Sequence, residues 1–172
     1  MFRTNRGFTI VELLIVIVVI AILAAISIVA YNGIQERAHA SSVASSLTQI
    51  EKGLRMMAID QGRSTWWHEN DISSSTGNKP LRQVMEQTTL DNYVQDYADD
   101  VGTGWYYDND GDASGACGTS HMGAQIQIRG IARDDLIQAV DDAIDDGDMG
   151  CGKVRILSSG TLLYRISYDQ SI

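Results

Sequence analysis

The chain is short of basic residues, cysteine and proline. Its 172 residues include 13 lysines and arginines, 22 acidic residues and one proline, and the formal net charge is −9. Bulk binding of a nucleic-acid backbone depends on clustered positive charge, so this balance argues against it. A hydrophobic content of 44% with one proline is ordinary for a folded chain and excludes a disordered tail. The length suits about one domain.

Charge is absent from one long segment. The 19 residues from Leu13 to Tyr31 contain no acidic or basic side chain. As a helix they would extend about 28 Å, close to the ~30 Å hydrocarbon core of a bilayer. Arg3 and Arg6 precede the segment, and the positive-inside rule places them in the cytoplasm. The sequence therefore predicts a single-pass membrane protein whose later residues lie outside.

Glu12 is unusual because it lies at the start of this apolar segment. A cleaved secretory signal ending near Ala24 and Ala25 would have an apolar region of about 7 to 15 residues. The apolar region of this chain is longer than that and carries an acid, Glu12. An ordinary signal anchor would not require this acid either. An acid at membrane depth needs a partner. A cut between Gly7 and Phe8 would create one, an α-amino group that a second copy of the chain could pair with Glu12.

The stretch Gly7-Phe8-Thr9-Ile10-Val11-Glu12-Leu13-Leu14 resembles the class III signal of type IV pilins and pseudopilins. The resemblance covers Arg6 to about Tyr31. It implies that prepilin peptidase cuts between Gly7 and Phe8 and methylates the Phe8 amine, and that Glu12 is the assembly carboxylate. Many pilins have glycine and proline within the span, where this chain has Ala21 and Val29. If the helix breaks, Asn32-Gly33 is the expected place.

The distribution of charged and apolar residues divides the chain into three predicted parts. Residues 1–7 form a leader, residues 8–62 form a long helix whose transmembrane half is 8–31, and residues 63–172 form a globular head. We expect the helix itself to run from Phe8 to Asp60. Its second half carries an apolar stripe that should pack under a sheet: Ala40, Val43, Leu47, Ile50, Leu54 and Met57.

The head is predicted to mix short helices with antiparallel strands. Helical spacing after Pro80 indicates one broken or two short helices, and another helix is expected from Arg133 to Asp146, where Gly147 stops it. Three or four strands alternate polar and apolar residues: Trp105 to Tyr107, Gln125 to Ile131, Lys153 to Leu157, and Thr161 to Tyr168. The fold class is therefore α+β, a long helix packed against a small antiparallel sheet, which also resembles a pilin.

Two features of the head leave alternatives open. Trp66 and Trp67 are expected to be packing or interface hydrophobes, with one exposed adhesive tryptophan as the alternative. The acids Asp141, Asp142 and Asp145 to Asp148 are expected on the polar face and end of a helix, although acids at a carboxyl terminus oppose the helix dipole.

Cys117 and Cys151 are predicted to form a disulfide. Both fall in the portion expected outside the cell, where oxidising conditions favour a bridge over free thiols. In the chain-entropy model a loop of this length stabilises the fold by about 4 kcal/mol.

No catalytic site or obligatory cofactor is predicted. His39, His68 and His121 have no zinc-ligand spacing and form no nucleophile–base pair. The loop Asp108-Asn109-Asp110-Gly111-Asp112 is a candidate calcium site, because its three carboxylates can supply oxygen ligands; a solvated turn is the alternative.

Three functions are consistent with the sequence. The first is a structural subunit of a type IV pilus used for adhesion, twitching motility or DNA uptake. The second is a minor pilin, or a pseudopilin of a type II secretion or competence system. The third is a monomeric membrane-anchored binding protein. The resemblance implies several partners: prepilin peptidase, an assembly platform in the membrane, other pilins or copies of the chain itself, and membrane lipid before assembly. It also implies an extracellular pilus as the final location.

Overall fold

The computed structural model describes residues 7–68, 79–94, 97, 101–109, 123–158, 160–167 and 171–172. The chain divides into two compact units, Met1–Arg37 and Ala38–Ile172. Cys117, Asp110, Asp112 and His121 lie outside the described residues. The Cys117–Cys151 disulfide and two of the three predicted calcium ligands therefore stay predictions.

Helix α1, Ile10–Asp60, contains 51 residues. It begins two residues later than expected because Thr9 is its N-cap. The helix continues through Asn32 and Gly33, so the break considered there is absent. Between residues 7 and 35 every side chain whose burial is described is exposed within the single chain. This half of α1 therefore has an apolar surface that the chain itself does not cover.

The second half of α1 contributes to the core of the second unit. All six residues of the predicted apolar stripe are buried: Ala40, Val43, Leu47, Ile50, Leu54 and Met57. They belong to one cluster with the inward-facing residues of the sheet. This part of the sequence-based prediction is confirmed, because a three-and-four spacing puts these side chains on one helix face.

The described residues of the second unit also form one antiparallel sheet. Its strands are β1 Lys79–Pro80, β2 Gly104–Asp108, β3 Gln125–Arg129, β4 Val154–Ser158 and β5 Thr161–Arg165. Their order is β1-β2-β3-β5-β4. The α+β class is confirmed, and β2 to β5 correspond to the four predicted strand segments with different ends. The two-residue β1 is added at one edge. The sheet's central strands pair Trp105 with Ile128 and Tyr107 with Ile126.

In the described part of the chain, three short helical elements accompany the sheet. They are α2 Leu81–Gln87, a 3₁₀ turn Leu90–Asn92, and α3 Asp134–Ile144. Pro80 is the N-cap of α2 as well as the end of β1. The two helical pieces after Pro80 were predicted; α3 is two residues shorter at its end than expected, since Asp145 already has non-helical backbone angles.

Trp66 and Trp67 are both buried, with 2% and 5% of their surface exposed. The Tyr107 hydroxyl donates a hydrogen bond to the Trp67 carbonyl at 2.9 Å. Arg55 lies over the Trp66 ring and Arg63 over the Trp67 ring. The alternative of an exposed adhesive tryptophan is therefore wrong, and the interpretation of the pair as packing residues is confirmed.

Candidate functional site

The N-terminus of α1 is closed by a reciprocal pair of hydrogen bonds between Thr9 and Glu12. The Glu12 backbone N–H donates to the Thr9 hydroxyl oxygen at 3.2 Å. In return, Glu12 Oε2 accepts from the Thr9 backbone N–H and from the Thr9 hydroxyl, each at 2.8 Å. This is a capping box, in which residues N-cap and N3 satisfy each other's backbone donors. Glu12 thus has a partner within its own chain.

One oxygen of the Glu12 carboxylate, Oε1, takes no part in the capping box. Within the described residues, every hydrogen bond to the carboxylate goes to Oε2. The exposed Oε1 can therefore accept from a further donor without disturbing the helix cap. A carboxylate this close to a helix N-terminus is also favoured by the helix dipole.

Gly7 and Phe8 precede the capping box. A Cβ added to Gly7 would meet no atom within 4 Å, and its backbone does not adopt a positive φ. Packing among the described residues therefore gives no reason for glycine at position 7. Phe8 is 83% exposed, so the bond between the two residues lies at an uncovered end of the helix.

Among the described residues, one helix is long and apolar enough to cross a membrane, and it is α1. Its apolar side chains include Leu13, Ile20 and Ile26, each more than half exposed. A signal sequence near the N-terminus can have the same length and composition.

Comparison with protein-family models finds a match at the N-terminus. Residues 2–28 match the model described as the prokaryotic N-terminal methylation motif. The chain carries a prepilin-type signal. This signal is the class III signal of type IV pilins and pseudopilins, so the resemblance noted in the sequence is confirmed for this segment. Comparisons with curated proteins and with solved structures found no match.

The prepilin-type signal and the apolar helix together support a membrane-anchored, pilin-like or pseudopilin precursor. The match ends at residue 28 and does not extend into the second unit. It therefore does not distinguish a pilus subunit from a pseudopilin.

Thr9 is the functional residue that the sequence-based reasoning missed. The order Thr-x-x-Glu at a helix start is a recognised capping-box pattern and was available in the sequence. The sequence analysis predicted an amine from another chain as the partner of Glu12. It did not predict the bonds from Thr9, three positions earlier. The described bonds from Thr9 reach only Oε2, so the cap leaves Oε1 for the assembly contact predicted for Glu12.

Of the predicted calcium loop, the described residues include Asp108 and Asn109. Asp108 is buried, and its Oδ2 accepts hydrogen bonds from Gln125 Nε2 at 2.9 Å and from Gln127 Nε2 at 2.8 Å. Two neighbouring side chains of β3 thus hold the carboxylate at the end of β2. This structural role accounts for an acid at position 108 on its own.

The two histidines in the described part of the chain lie in separate, exposed places. His39 is exposed on α1, and His68 is exposed in the segment after it. Neither contributes to a cluster of metal-ligand side chains among the described residues.

A second polar cluster joins α1 to the sheet through Glu51. Its Oε2 accepts from Lys153 Nζ at 2.7 Å and from the Tyr164 hydroxyl, and its Oε1 accepts from Arg55 at 3.1 Å. Burial alone would raise the pKa of Glu51, but the bonds from Lys153 and Tyr164, with Arg55, outweigh it and hold that pKa below its usual value. Burial and the Glu51 carboxylate raise the pKa of Tyr164, which remains a donor.

Proposed function

We propose that the chain is a structural, non-catalytic subunit of a type IV pilus filament. In this proposal prepilin peptidase cuts between Gly7 and Phe8 and methylates the new amine. The mature helix then polymerises with other copies or other pilins at a membrane platform. The match of residues 2–28 to the methylation motif carries the proposal.

The exposed first half of α1 supports this role. Its apolar side chains are uncovered within the chain, and leaving them in water would be unfavourable by about 25 cal/mol for each Å². Lipid can cover them before assembly, and neighbouring helices can cover them in a filament. The leader's two arginines place the N-terminus in the cytoplasm and the head outside, so the assembled subunit is extracellular.

The geometry at Glu12 supports a specific contact in assembly. Cleavage would turn the Phe8 nitrogen into a positive amine beside the positive end of the helix dipole. A carboxylate oxygen from a neighbouring subunit offsets this charge, and Glu12 Oε1 is available for that contact. The mature chain's charge also becomes −9 − 2 = −11, because the leader contains two arginines and no acid.

Glu12→Gln tests the contact while keeping the helix cap. Glutamine can replace glutamate at the N3 position of a capping box, so this variant removes the charge and leaves the cap in place. We expect sheared filaments from the native cell to fall about tenfold or more, since a buried amine would lose its counter-charge. Cleavage after Gly7 and the amount of protein in the membrane should be unchanged.

Thr9→Ala is the matched control. It removes the cap, at a cost of about 1 kcal/mol to the helix end, and keeps the Glu12 charge. Filament yield should stay near that of the unmodified protein. Normal filaments in Glu12→Gln would contradict charge-paired assembly and favour a monomeric anchored protein. Abundance in the sheared fraction separates a major subunit, which dominates it, from a minor pilin or pseudopilin, which does not.

A further inference from the structure

Asp141 is a buried acid on the inward face of α3. The residues Ile137, Val140 and Ile144 share this face by helical spacing, and Asp141 lies four positions after Ile137. Its exposed fraction is 0%. Neither carboxylate oxygen has a hydrogen-bond partner among the described residues. An unpartnered buried carboxylate is costly, so its presence points to a ligand.

Two further acids lie beside Asp141. One carboxylate oxygen each from Asp141, Asp145 and Asp146 can be chosen so that all three lie within 4.8 Å of one another. No lysine, arginine or histidine forms an ion pair with any of them in the described part of the chain. Three close carboxylates without a counter-charge repel one another.

The loop after α3 holds the second and third acids in position. Asp145 Oδ2 accepts from the Lys153 backbone N–H, and Asp146 Oδ1 accepts from the Asp148 backbone N–H at 3.0 Å. Each of these two acids keeps its other oxygen without a donor among the described residues. With both oxygens of Asp141, the cluster therefore offers four carboxylate oxygens.

Gly152 makes room for Asp145. Its φ is +105°, and an added Cβ would lie 2.2 Å from Asp145 Oδ2. The loop thus passes close enough to the carboxylate that a side chain at 152 would displace it.

We propose that Asp141, Asp145 and Asp146 bind one Ca²⁺ ion at the carboxyl-terminal end of α3. Ca²⁺ takes six to eight oxygen ligands at about 2.3–2.6 Å, so two ligands of one ion are separated by at most about 5 Å. One oxygen from each of the three acids meets this limit, since the three lie within 4.8 Å of one another. Carboxylates without histidine or cysteine favour a hard cation, and Mg²⁺ requires a stricter octahedron than a mixed buried and exposed set provides.

The ion also explains the acids at the end of α3. The last turn of α3 and the residue after it contain acids and no base, which the helix dipole alone disfavours. A cation bound there interacts favourably with both the dipole and the acids. Burial first, and then Asp145, Asp146, Asp142 and Asp148, raise the pKa of Asp141 to about 6.

The test uses the full-length chain in detergent at pH 7 and follows unfolding by tryptophan fluorescence. All three tryptophans are buried in the second unit, so their signal reports its unfolding. We expect 5 mM CaCl2 to raise the Tm by about 3 °C or more over a chelator-treated sample at equal ionic strength. MgCl2 at the same concentration should raise it by less.

Asp141→Asn should abolish the rise with CaCl2. Asp142→Asn is the matched control, because its exposed carboxylate binds Gln138 and lies outside the cluster, while the charge change is the same. It should respond to CaCl2 like the unmodified chain. Should Asp141→Asn fail to fold, the exposed ligand variant Asp146→Asn should lose most of the calcium response. No response of the unmodified chain to CaCl2, an equal response to MgCl2, or an undiminished response in the ligand variants would each overturn the site.

Discussion

At the scale of single residues, the carboxylates of Glu12 and Glu51 have different surroundings. Glu12 is exposed and bonds locally to Thr9, three residues earlier. Glu51 is largely buried and bonds to Lys153 and Tyr164, more than 100 positions later in the chain. The first closes a helix end, and the second joins α1 to the sheet. Removing their charges should therefore affect different properties.

Glu51→Gln should lower stability at neutral pH and flatten its dependence on pH. The loss of charge-assisted hydrogen bonds from Lys153, Arg55 and Tyr164 should lower the free energy of unfolding by about 1–3 kcal/mol. Because the pKa of Glu51 is lower in the folded chain, its stabilisation is complete above its ordinary value of 4.5 and is lost as pH falls below it. Denaturant unfolding from pH 3 to 7 measures both effects.

Glu86→Gln is the control for removing one carboxylate, since Glu86 is exposed on α2. It should leave the pH profile nearly unchanged. A Glu51→Gln chain as stable as the unmodified one at pH 7, with an equally steep loss below pH 4.5, would mean that the cluster contributes no net stability.

The sequence predicted single residues well where a periodic pattern located them. The stripe on α1 is an example, because helical geometry alone decides which side chains share a face. Asp141 was misinterpreted as part of a polar face, since the charged residues around it concealed its place on the face of Ile137 and Val140. Packing of Trp66 and Trp67 was expected, but a local pattern could not identify Tyr107, 40 positions after Trp67, as a hydrogen-bond partner of that segment.

At the scale of secondary-structure elements, the two halves of helix α1 differ in burial. From Ala40 to Ala58 it buries a face in the core of the second unit, whereas its described side chains from 10 to 35 are exposed. The second half also has a close contact at Gly53. A Cβ there would lie 2.4 Å from Val94 Cγ2 and 3.2 Å from Leu90 Cδ1. Glycine therefore lets the segment after the 3₁₀ turn approach the helix backbone.

Gly53→Ala should destabilise the second unit. Alanine favours the helix by about 1 kcal/mol, but overpacking a filled core costs about 1–3 kcal/mol, and the stiff, buried Val94 has little room to move. We expect a lower Tm by tryptophan fluorescence. Adding Val94→Ala, which removes the methyl group in contact, should restore part of the stability relative to Val94→Ala alone.

Gly33→Ala is the matched control within the same helix. An added Cβ at position 33 meets no atom within 4 Å, so the Tm of the second unit should be unchanged. If Gly53→Ala were as stable as Gly33→Ala, the close contact with Val94 would not limit this position.

Four of the five strands were predicted in type and in approximate position along the chain. Alternation located β2 to β5 to within a few residues, because a half-buried strand has a period of two. The two-residue β1 was missed, since Lys79 and Pro80 carry no alternation and pair with β2 only through the tertiary fold. The start of α1 was placed at Phe8 because the Thr9–Glu12 cap was not recognised.

At the scale of the whole molecule, the sequence assigns different tasks to its two ends. The N-terminal segment carries the prepilin-type signal, and the match covers residues 2–28. The α+β second unit has an acidic composition and its own core. The class of precursor could therefore be predicted from about 26 residues, whereas the particular role of the head depends on surfaces that no short motif describes.

The most direct test of this account is mass spectrometry of the mature N-terminus isolated from the native cell. We predict a first peptide that begins at Phe8 and carries one added methyl group on its amine. That result would establish processing at the Gly7–Phe8 bond and provide the amine that pairs with Glu12. A mature chain beginning at Met1, or one beginning after Ala24 or Ala25, would contradict prepilin processing and the filament role derived from it.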